Sequence, residues 1–200
     1  HPIPRRQRQM CIRDRFMIGY TLGFLETNNG LFDNRFNGAF SIIEDTKSIF
    51  SSISFKSSFA KELSFIGSIN YSNSSNINSD KIIKNISGLE EFSFDFALIK
   101  KSLFYKNDFL SFRIKQDPRI EKARVSLNIP KGRNPNGVVE FKSVTLPITP
   151  SGREINFETS WSFHRDNRKS FINLSFIDDK DHIKSKDIEI NLIFAHQRFF

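Results

Sequence analysis

Cysteine is almost absent from this 200-residue chain. Cys11 is the single one, which excludes an internal disulfide framework and a cysteine-based zinc site. The four histidines, at positions 1, 164, 182 and 196, form no cluster with metal-ligand spacing. Long apolar runs are absent too: no stretch approaches the ~18 residues of a transmembrane helix, and residues 1–15 lack the apolar core of a signal peptide. A membrane role would therefore have to use β-strands.

Hydrophobic residues make up 38% of the sequence, which is little for a chain that buries a large conventional core, yet 23 residues are Phe. A membrane β-barrel reconciles these two numbers, because one side of each strand faces lipid while the other side lines a polar lumen. A/T-rich coding is an alternative explanation for the amount of Phe. It does not explain where the Phe residues lie along the chain.

The first fifteen residues differ from the rest of the chain. They contain five Arg and one Asp, which together supply half of the net charge of +8. The string RQRQMCIRD within them resembles the translation of library adapter DNA. We therefore expect residues 1–15 to be a non-native or disordered tail that precedes a domain at 16–200, and we expect the native N-terminus to be missing. A native basic arm that binds anionic surfaces is the alternative.

From Phe16 onward, apolar and polar residues alternate in a series of segments, a pattern that predicts β-strands. The predicted strands are Phe16–Phe24, Phe36–Ile42, Ile49–Phe59, Leu63–Tyr71, Phe92–Leu98, Leu110–Lys115, Val125–Ile129, Val138–Ile148, Ile155–Phe163, Ile172–Phe176 and Ile188–Phe194. Residues 72–88 are Ser- and Asn-rich and are predicted to form a long exposed loop. The strands number about ten, and we expect each, once its ends are included, to approach the 9–11 residues that cross a bilayer at a tilt. Their connections alternate between short turns and longer polar loops, as in outer-membrane barrels.

These features predict an all-β fold, an antiparallel up-and-down transmembrane β-barrel in the bacterial outer membrane. A soluble β-sandwich or a lipocalin-like barrel would share the period of two. Two observations favour the membrane barrel. The polar positions carry charges with few turn prolines nearby, and the apolar positions hold mostly bulky Phe, Ile and Leu with little Ala or Val.

The last predicted strand has the features of an outer-membrane insertion signal. Ile190, Leu192 and Phe194 occupy alternate positions, and the final residue is Phe200. Such a signal implies outer-membrane lipid and the barrel-assembly machinery as partners. The usual signal keeps alternate residues apolar up to the terminal aromatic residue. His196 and Arg198 are polar and occupy two of these alternate positions, so they interrupt the pattern.

A family resemblance is carried by the segment from Leu127 to Ile155. Its two strings are Leu127-Asn128-Ile129-Pro130-Lys131-Gly132-Arg133 and Leu146-Pro147-Ile148-Thr149-Pro150-Ser151-Gly152-Arg153-Glu154-Ile155. The second string resembles the C-terminal barrel region of proteobacterial autotransporter-like proteins, whose secreted passenger is often a subtilisin-like (S8 family) serine peptidase. The resemblance implies a barrel of about twelve strands, of which about ten would lie in this chain. It also implies a translocator that anchors its own N-terminal passenger.

Charged side chains expected to face the lumen are the candidate functional residues. They are Asp95, Arg113, Lys115, Arg124, Glu154 and Glu158. There they would hydrate the pore and contact a transiting linker; ordinary inward polar positions are the alternative.

We predict no catalytic residue, metal site or cofactor in this chain. Ser151 is interpreted as a turn residue, and residues 178–182 as a solvated acidic loop without the spacing of a calcium site. Nucleic acid is not expected as a partner, because the aromatic residues lack basic neighbours on the same face. A stand-alone outer-membrane barrel, either a porin or an adhesin, is the second hypothesis for function. A soluble β-sheet binding module is the third.

Overall fold

The structure, a computed structural model, describes residues 16–27, 30–31, 34–35, 45–78, 82–165 and 167–198. Its strands are β1 Phe16–Thr27, β2 Gly30–Leu31, β3 Asn34–Arg35, β4 Thr46–Ala60, β5 Leu63–Ser74, β6 Ile77–Asn78, β7 Ile83–Lys101, β8 Asp108–Arg133, β9 Val139–Pro147, β10 Ile155–Arg165, β11 Arg168–Asp178 and β12 Glu189–Arg198. One 3-10 turn, Lys180–His182, is the only helical element in the described part. Residues 1–15, the predicted strand Phe36–Ile42 and Phe200 lie outside the described residues.

Ten of the strands form one antiparallel sheet. Eight of them follow one another in the order β1-β4-β5-β7-β8-β10-β11-β12, while β6 pairs with β7 and β9 pairs with β8. A separate ribbon contains β2 and β3. The prediction of an all-β antiparallel fold is confirmed. The sheet is open, since no pairing within the described residues joins β1 to β12.

The two ends of the sheet differ in the length of their connections. At one end, which we call the short-turn end, the strands are joined by residues 61–62, 102–107 and 166–167. At the other end, the long-loop end, the connections are 28–45, 75–82, 134–154 and 179–188. The alternation of short turns and longer connections matches the prediction from sequence.

Strand β8 is one continuous strand of 26 residues, where the sequence predicted two strands, Leu110–Lys115 and Val125–Ile129. The prediction was wrong because of a local irregularity around Pro118. Phe92 lies opposite Arg119, and Phe94 lies opposite Gln116, so β8 has one extra residue between these pairs. Proline lacks the N–H that a regular ladder needs, and a bulge accommodates it without ending the strand.

The predicted loop at 72–88 is mostly strand. β5 continues to Ser74, β6 occupies Ile77–Asn78, and β7 begins at Ile83. The isoleucines within this polar segment explain the difference, because Ile77 and Ile86 are buried and pack with Ile83 and Val125. Because Ser and Asn residues surround these isoleucines in the sequence, the composition of the segment indicated a loop and gave no sign of the small apolar cluster.

Beyond the eight-strand sheet, β7 and β8 continue together at the long-loop end. β6 pairs with Ile86 and Asn85 of β7, and β9 pairs with the second half of β8, residues 124–133. We call this four-strand region the extension. Because β7 and β8 are continuous with the centre of the sheet, the extension projects from the long-loop end.

Candidate functional site

One face of the eight-strand sheet is apolar from edge to edge. Residues opposite each other on neighbouring antiparallel strands point to the same face, and the register places Tyr20, Ile53, Ile69 and Phe94 in one row. The same face continues over the remaining strands. This apolar face contains the even positions of 16–24, 92–98, 110–114, 172–176 and 190–194, and the odd positions of 49–55, 65–71 and 157–163. Ser51, Gly67 and Thr159 are its non-bulky members.

Much of the apolar face is exposed. Leu192 exposes 72% of its surface, Phe194 67% and Phe16 58%. On β1 the face extends over eight residue steps, about 27 Å at ~3.4 Å per residue, close to the ~25 Å height of the apolar band of outer-membrane barrels. A contiguous apolar surface of this extent marks a membrane or protein contact, because water disfavours it strongly.

Ring packing within the apolar face is extensive in its centre. Phe55 lies 5.3 Å from Phe65 and 5.9 Å from Phe96, measured between ring centroids. Phe94 lies 5.4 Å from Phe96. These rings cover the backbone of the central strands, while their outer surfaces have no protein layer above them in the described part of the chain.

The opposite face is polar and concave. A cavity of about 550 Å³ is lined by residues of six consecutive strands, from Met17 and Gly19 on β1 to Glu158 and Ser160 on β10. Side chains of β1 and β10 can line one cavity only when the sheet curls around this face. The cavity therefore shows that the polar face is the inner surface of the curved sheet.

Hydroxyl and amide side chains bond to one another across the polar face. The Ser52 hydroxyl donates to Asn70 Oδ1 at 2.6 Å, and Asn70 Nδ2 donates to the Ser93 hydroxyl at 3.1 Å. Asn173 Nδ2 donates to the Ser160 hydroxyl at 2.6 Å on the other side of the sheet. Small hydroxyl residues leave space in front of the sheet, and this space is the cavity.

Four charged residues meet in the middle of the polar face. The guanidinium of Arg113 donates to both carboxylate oxygens of Asp95, with 2.8 Å between Nε and Oδ1. Its Nη1 lies 3.5 Å from Glu158 Oε2, and Lys115 Nζ lies 3.8 Å from Glu158 Oε1. Partly exposed ion pairs such as these add little net stability. They keep the concave face hydrated, so they suit a water-lined surface better than a packed interior.

The structure brings together Asp95, Arg113, Lys115 and Glu158 of the six residues that the sequence predicted to face a lumen. Arg124 lies instead on the extension, opposite Pro147 of β9. Glu154 lies just before β10, where its carboxylate accepts the Asp181 N–H at 2.6 Å. Alternation assigns a residue to a face but not to a height along the strand, so sequence reasoning could not separate these two residues from the other four.

The segment Pro150–Ile155, which we call the motif, belongs to the second string of the sequence resemblance and lies at the junction between the extension and the eight-strand sheet. Arg119 of β8 reaches back to this motif, and its guanidinium donates to Gly152 O at 2.8 Å and to Pro150 O at 2.9 Å. Ile155 begins β10. The motif therefore fixes the path of the chain as it leaves the extension and re-enters the sheet.

A carboxylate between two arginines completes the junction. Glu121 lies 2.8 Å from Arg119 Nη1 and 2.8 Å from Arg153 Nη2. Arg153 Nη1 also donates to Oε1 of the buried Gln116 at 2.6 Å. Sequence reasoning named Arg153 as part of the motif but missed Gln116, Arg119 and Glu121, which no local pattern connects to it.

Residues 179–188 lie directly against Gly152. The Gly152 N–H donates to His182 O at 2.8 Å, and the Ser151 hydroxyl accepts the Lys184 N–H at 3.1 Å. A Cβ on Gly152 would lie 2.5 Å from Lys184 N and 2.7 Å from the carbonyl carbon of Ile183. Only glycine allows this approach of two backbones.

Asp179 and His182 hold the same connection in place. The N–H groups of Ser185 and Arg153 donate to the Asp179 carboxylate, and they keep its pKa below the ordinary range. The Glu154 N–H donates to His182 Nδ1 at 2.9 Å. The sequence predicted a solvated acidic loop at residues 178–182. The structure adds that this loop also forms hydrogen bonds with Arg153 and Glu154 of the motif.

An aromatic cluster lies at the short-turn end of the apolar face. Trp161 packs edge-on against Phe104, with 5.8 Å between ring centroids, and in a tilted arrangement against Phe163, at 4.9 Å. Its indole N–H donates to Asp108 Oδ2 at 3.1 Å, and Asp108 also accepts the Phe104 N–H at 2.9 Å. Amphipathic aromatic rings at the border of an apolar band are typical of membrane–water interfaces.

No protein-family model, curated protein or solved structure matches this chain. In the part that the structure describes, no helix is long and apolar enough to cross a bilayer, a finding that does not concern strands. Within those same ranges, no three His, Cys, Asp or Glu side chains are grouped so that they could hold a metal ion. The structure therefore shows an all-β protein with an antiparallel sheet, of which one face is apolar and exposed and the other is polar and concave.

Proposed function

We propose that this chain is part of an outer-membrane β-barrel whose apolar face contacts lipid and whose polar face lines the lumen. The observation that supports it is the presence of both faces on the same eight strands. A soluble β-sandwich would cover such an apolar face with a second sheet. Among the described residues, no second layer covers it.

The proposal requires partners for the two edge strands. Unpaired backbone N–H and C=O groups are very costly in hydrocarbon, and the outer edges of β1 and β12 carry them. The eight strands alternate in direction, so β1 and β12 are antiparallel and can close the barrel directly or through additional strands. By analogy with bacterial barrels, the short-turn end would face the periplasm and the long-loop end the exterior.

Within this class, we propose the role of a translocator that anchors a secreted passenger. The sequence resemblance carried by the motif at 150–155 supports this role. The cavity on the concave face supports it too, because its central ion pairs would contact an extended linker without binding it tightly. The barrel-assembly machinery would recognise the strand that contains Ile190, Leu192 and Phe194. A subtilisin-like peptidase passenger would carry its chemistry outside this chain.

A reporter fusion tests the translocator role. The full chain would be preceded by a secretion signal and a small reporter domain, and expressed in a Gram-negative bacterium. We expect a chain that runs faster on a gel unboiled than boiled, and a reporter that external protease removes from intact cells. If the chain is correctly inserted but the reporter fused before it remains in the periplasm, translocation is contradicted. A chain recovered without detergent would contradict the membrane location itself.

A stand-alone barrel with an adhesive role is the second candidate, and the extension favours it. In the orientation given above, β6, β9 and the distal halves of β7 and β8 would project from the cell surface. A folded projection offers a binding surface that a pure translocator does not need. In the fusion experiment this role gives an inserted barrel with a reporter that stays inside the cell.

A further inference from the structure

Charge is distributed unevenly between the two ends of the sheet. The short-turn end carries a set of cations that we call the basic rim: Lys61, Lys100, Lys101, Lys106, Arg168, Lys169 and Arg198. Glu62 and Asp108 are the acidic residues described there; Asp166 of the sequence lies outside the described residues. Glu62 pairs with Lys100 at 3.0 Å, and the buried Asp108 accepts backbone and indole N–H groups.

The connection 179–188 at the long-loop end shows no such excess. Its connection 179–188 contains Asp179, Asp181 and Asp187 together with Lys180, Lys184 and Lys186. Here carboxylates and cations balance each other. The short turns therefore carry an excess of positive charge that this connection at the opposite end of the sheet lacks.

Hydrogen bonds join the short turns into one continuous surface. The Lys101 N–H donates to Glu62 O at 2.7 Å, which links the turn at 61–62 to the end of β7. The His164 N–H donates to Asn107 O at 3.2 Å, which links the turn at 102–107 to the end of β10. In the register of β11 and β12, Arg168 lies opposite Arg198. The cations thus follow one edge of the curved sheet.

The basic rim adjoins the aromatic cluster at the border of the apolar face. Phe104 and Tyr105 lie in the same turn as Lys106, and both rings contact Trp161. Cations beside interfacial aromatic rings lie at the depth where a bilayer places its phosphates.

We propose that the basic rim binds the phosphate headgroups of anionic phospholipids in the leaflet that the short-turn end faces. This inference rests on the proposed membrane location of the sheet. The inference is based on chemical complementarity. The apolar face is suited to contact acyl chains, and the cations at its border are suited to bind the anionic headgroups of the same lipids. Each exposed lysine near an anionic surface favours anionic over neutral lipid by up to about fivefold. The partner is bilayer lipid, since free phosphate would not occupy the adjoining apolar face.

Trp161 provides a built-in probe, because it is the single tryptophan of the chain and borders the rim. The full chain would be folded into phosphatidylcholine vesicles with about one-fifth phosphatidylglycerol, an anionic surface. Either lipid would carry bromine near its headgroup, which quenches indole fluorescence on contact. We expect brominated phosphatidylglycerol to quench Trp161 at least about twofold more than its share of the lipid predicts.

Matched charge variants separate the rim from the overall charge. The triple variant Lys61→Gln, Lys101→Gln, Lys106→Gln is expected to reduce quenching by phosphatidylglycerol to its share. The control Lys131→Gln, Lys142→Gln, Lys186→Gln removes the same charge at the long-loop end and is expected to retain the excess. In the unmodified chain, ~1 M salt should also abolish the excess, because the Debye length falls to about 3 Å.

Two results would overturn the inference, and they differ in meaning. Quenching in proportion to lipid share in the unmodified chain would exclude anionic selectivity, while the membrane location would stand. Absence of quenching even in fully brominated phosphatidylcholine would mean that Trp161 does not touch the bilayer. The second result would also remove the proposed function.

Discussion

The apolar and polar faces are made by alternate residues of the same eight strands, yet they follow different rules. The apolar face is filled by large rings and branched chains that need a nonpolar environment outside the protein. The polar face carries Ser, Asn and a few charges that bond to one another, and apolar residues such as Ile66 and Ala97 line its cavity beside them. Thr159 and Ser160 are adjacent, similar in size and chemistry, and lie on opposite faces. The environment of a residue therefore depends on whether it lies at an odd or an even position of its strand, which determines the face it belongs to, and not on its residue type alone.

The sharpest test of this difference between the faces is to place the same charge at position 159 and at position 160. We expect the largest change in the free energy of unfolding when the charge is on the apolar face. Thr159→Arg would put a guanidinium among Phe112 and Leu174 on the apolar face. In a bilayer we expect a loss of about 2–4 kcal/mol in the free energy of unfolding, the cost of Arg at the midplane of a barrel. Urea titration of the chain refolded in lipid vesicles measures it.

Ser160→Arg is the matched control, because it adds the same group to the polar face beside the cavity. We expect a loss of no more than about 1 kcal/mol there, since the charge stays hydrated. Equal losses at both positions would mean that neither face is in contact with hydrocarbon.

A backbone contact at the junction should give the next largest effect, and one that does not depend on lipid. In Gly152→Ala the new methyl group meets Lys184 N and the carbonyl carbon of Ile183, and such overpacking costs about 1–3 kcal/mol. Limited proteolysis within 179–188, together with urea titration, would detect the displaced connection. Gly132→Ala is the control, because a Cβ there meets nothing within 4 Å.

Glu121→Ala should have a smaller effect at the same junction. It removes the carboxylate that lies between Arg119 and Arg153, and we expect a loss of about 1–2 kcal/mol from the partners left unmatched. The control is Glu140→Ala on the exposed strand β9. Equal stability of the two variants in a urea titration would show that the arginines do not depend on Glu121.

The smallest effect is expected from the ion pairs of the polar face. Arg113→Gln removes the centre of the group that includes Asp95 and Glu158, yet we expect less than about 1 kcal/mol, because these side chains are partly exposed. Urea titration in vesicles gives the value. A loss of several kcal/mol would indicate a dry, packed interior instead of a water-lined face.

Alternation in the sequence was sufficient to predict the strands of the apolar face and its membership. It was sufficient because each side chain of a strand points away from the next, whatever the sheet does at longer range. Local composition misled at two places. Ser and Asn residues masked Ile77 and Ile86, and Pro118 suggested a break in a strand that a bulge lets continue.

The junction could not be predicted from sequence, because its contacts join residues about thirty positions apart. Arg119 bonds to Gly152 and Arg153 bonds to Asp179 only once the register of β8, β10 and β11 is set. The motif itself was recognised as distinctive, and Gly152 explains part of it through the close approach of residues 183–184. The partition of the six lumen candidates into four that meet and two that do not also depends on this register.

A quencher scan along β10 tests the central claim most directly. Single cysteines at 157–163, in a chain with Cys11→Ser, would carry a fluorophore and be read in lipid vesicles with a lipid-soluble and a water-soluble quencher. We expect odd positions to respond to the lipid-soluble quencher and even positions to the water-soluble one, alternating at every residue. Uniform access to the water-soluble quencher along the strand would contradict the assignment of the apolar face to lipid.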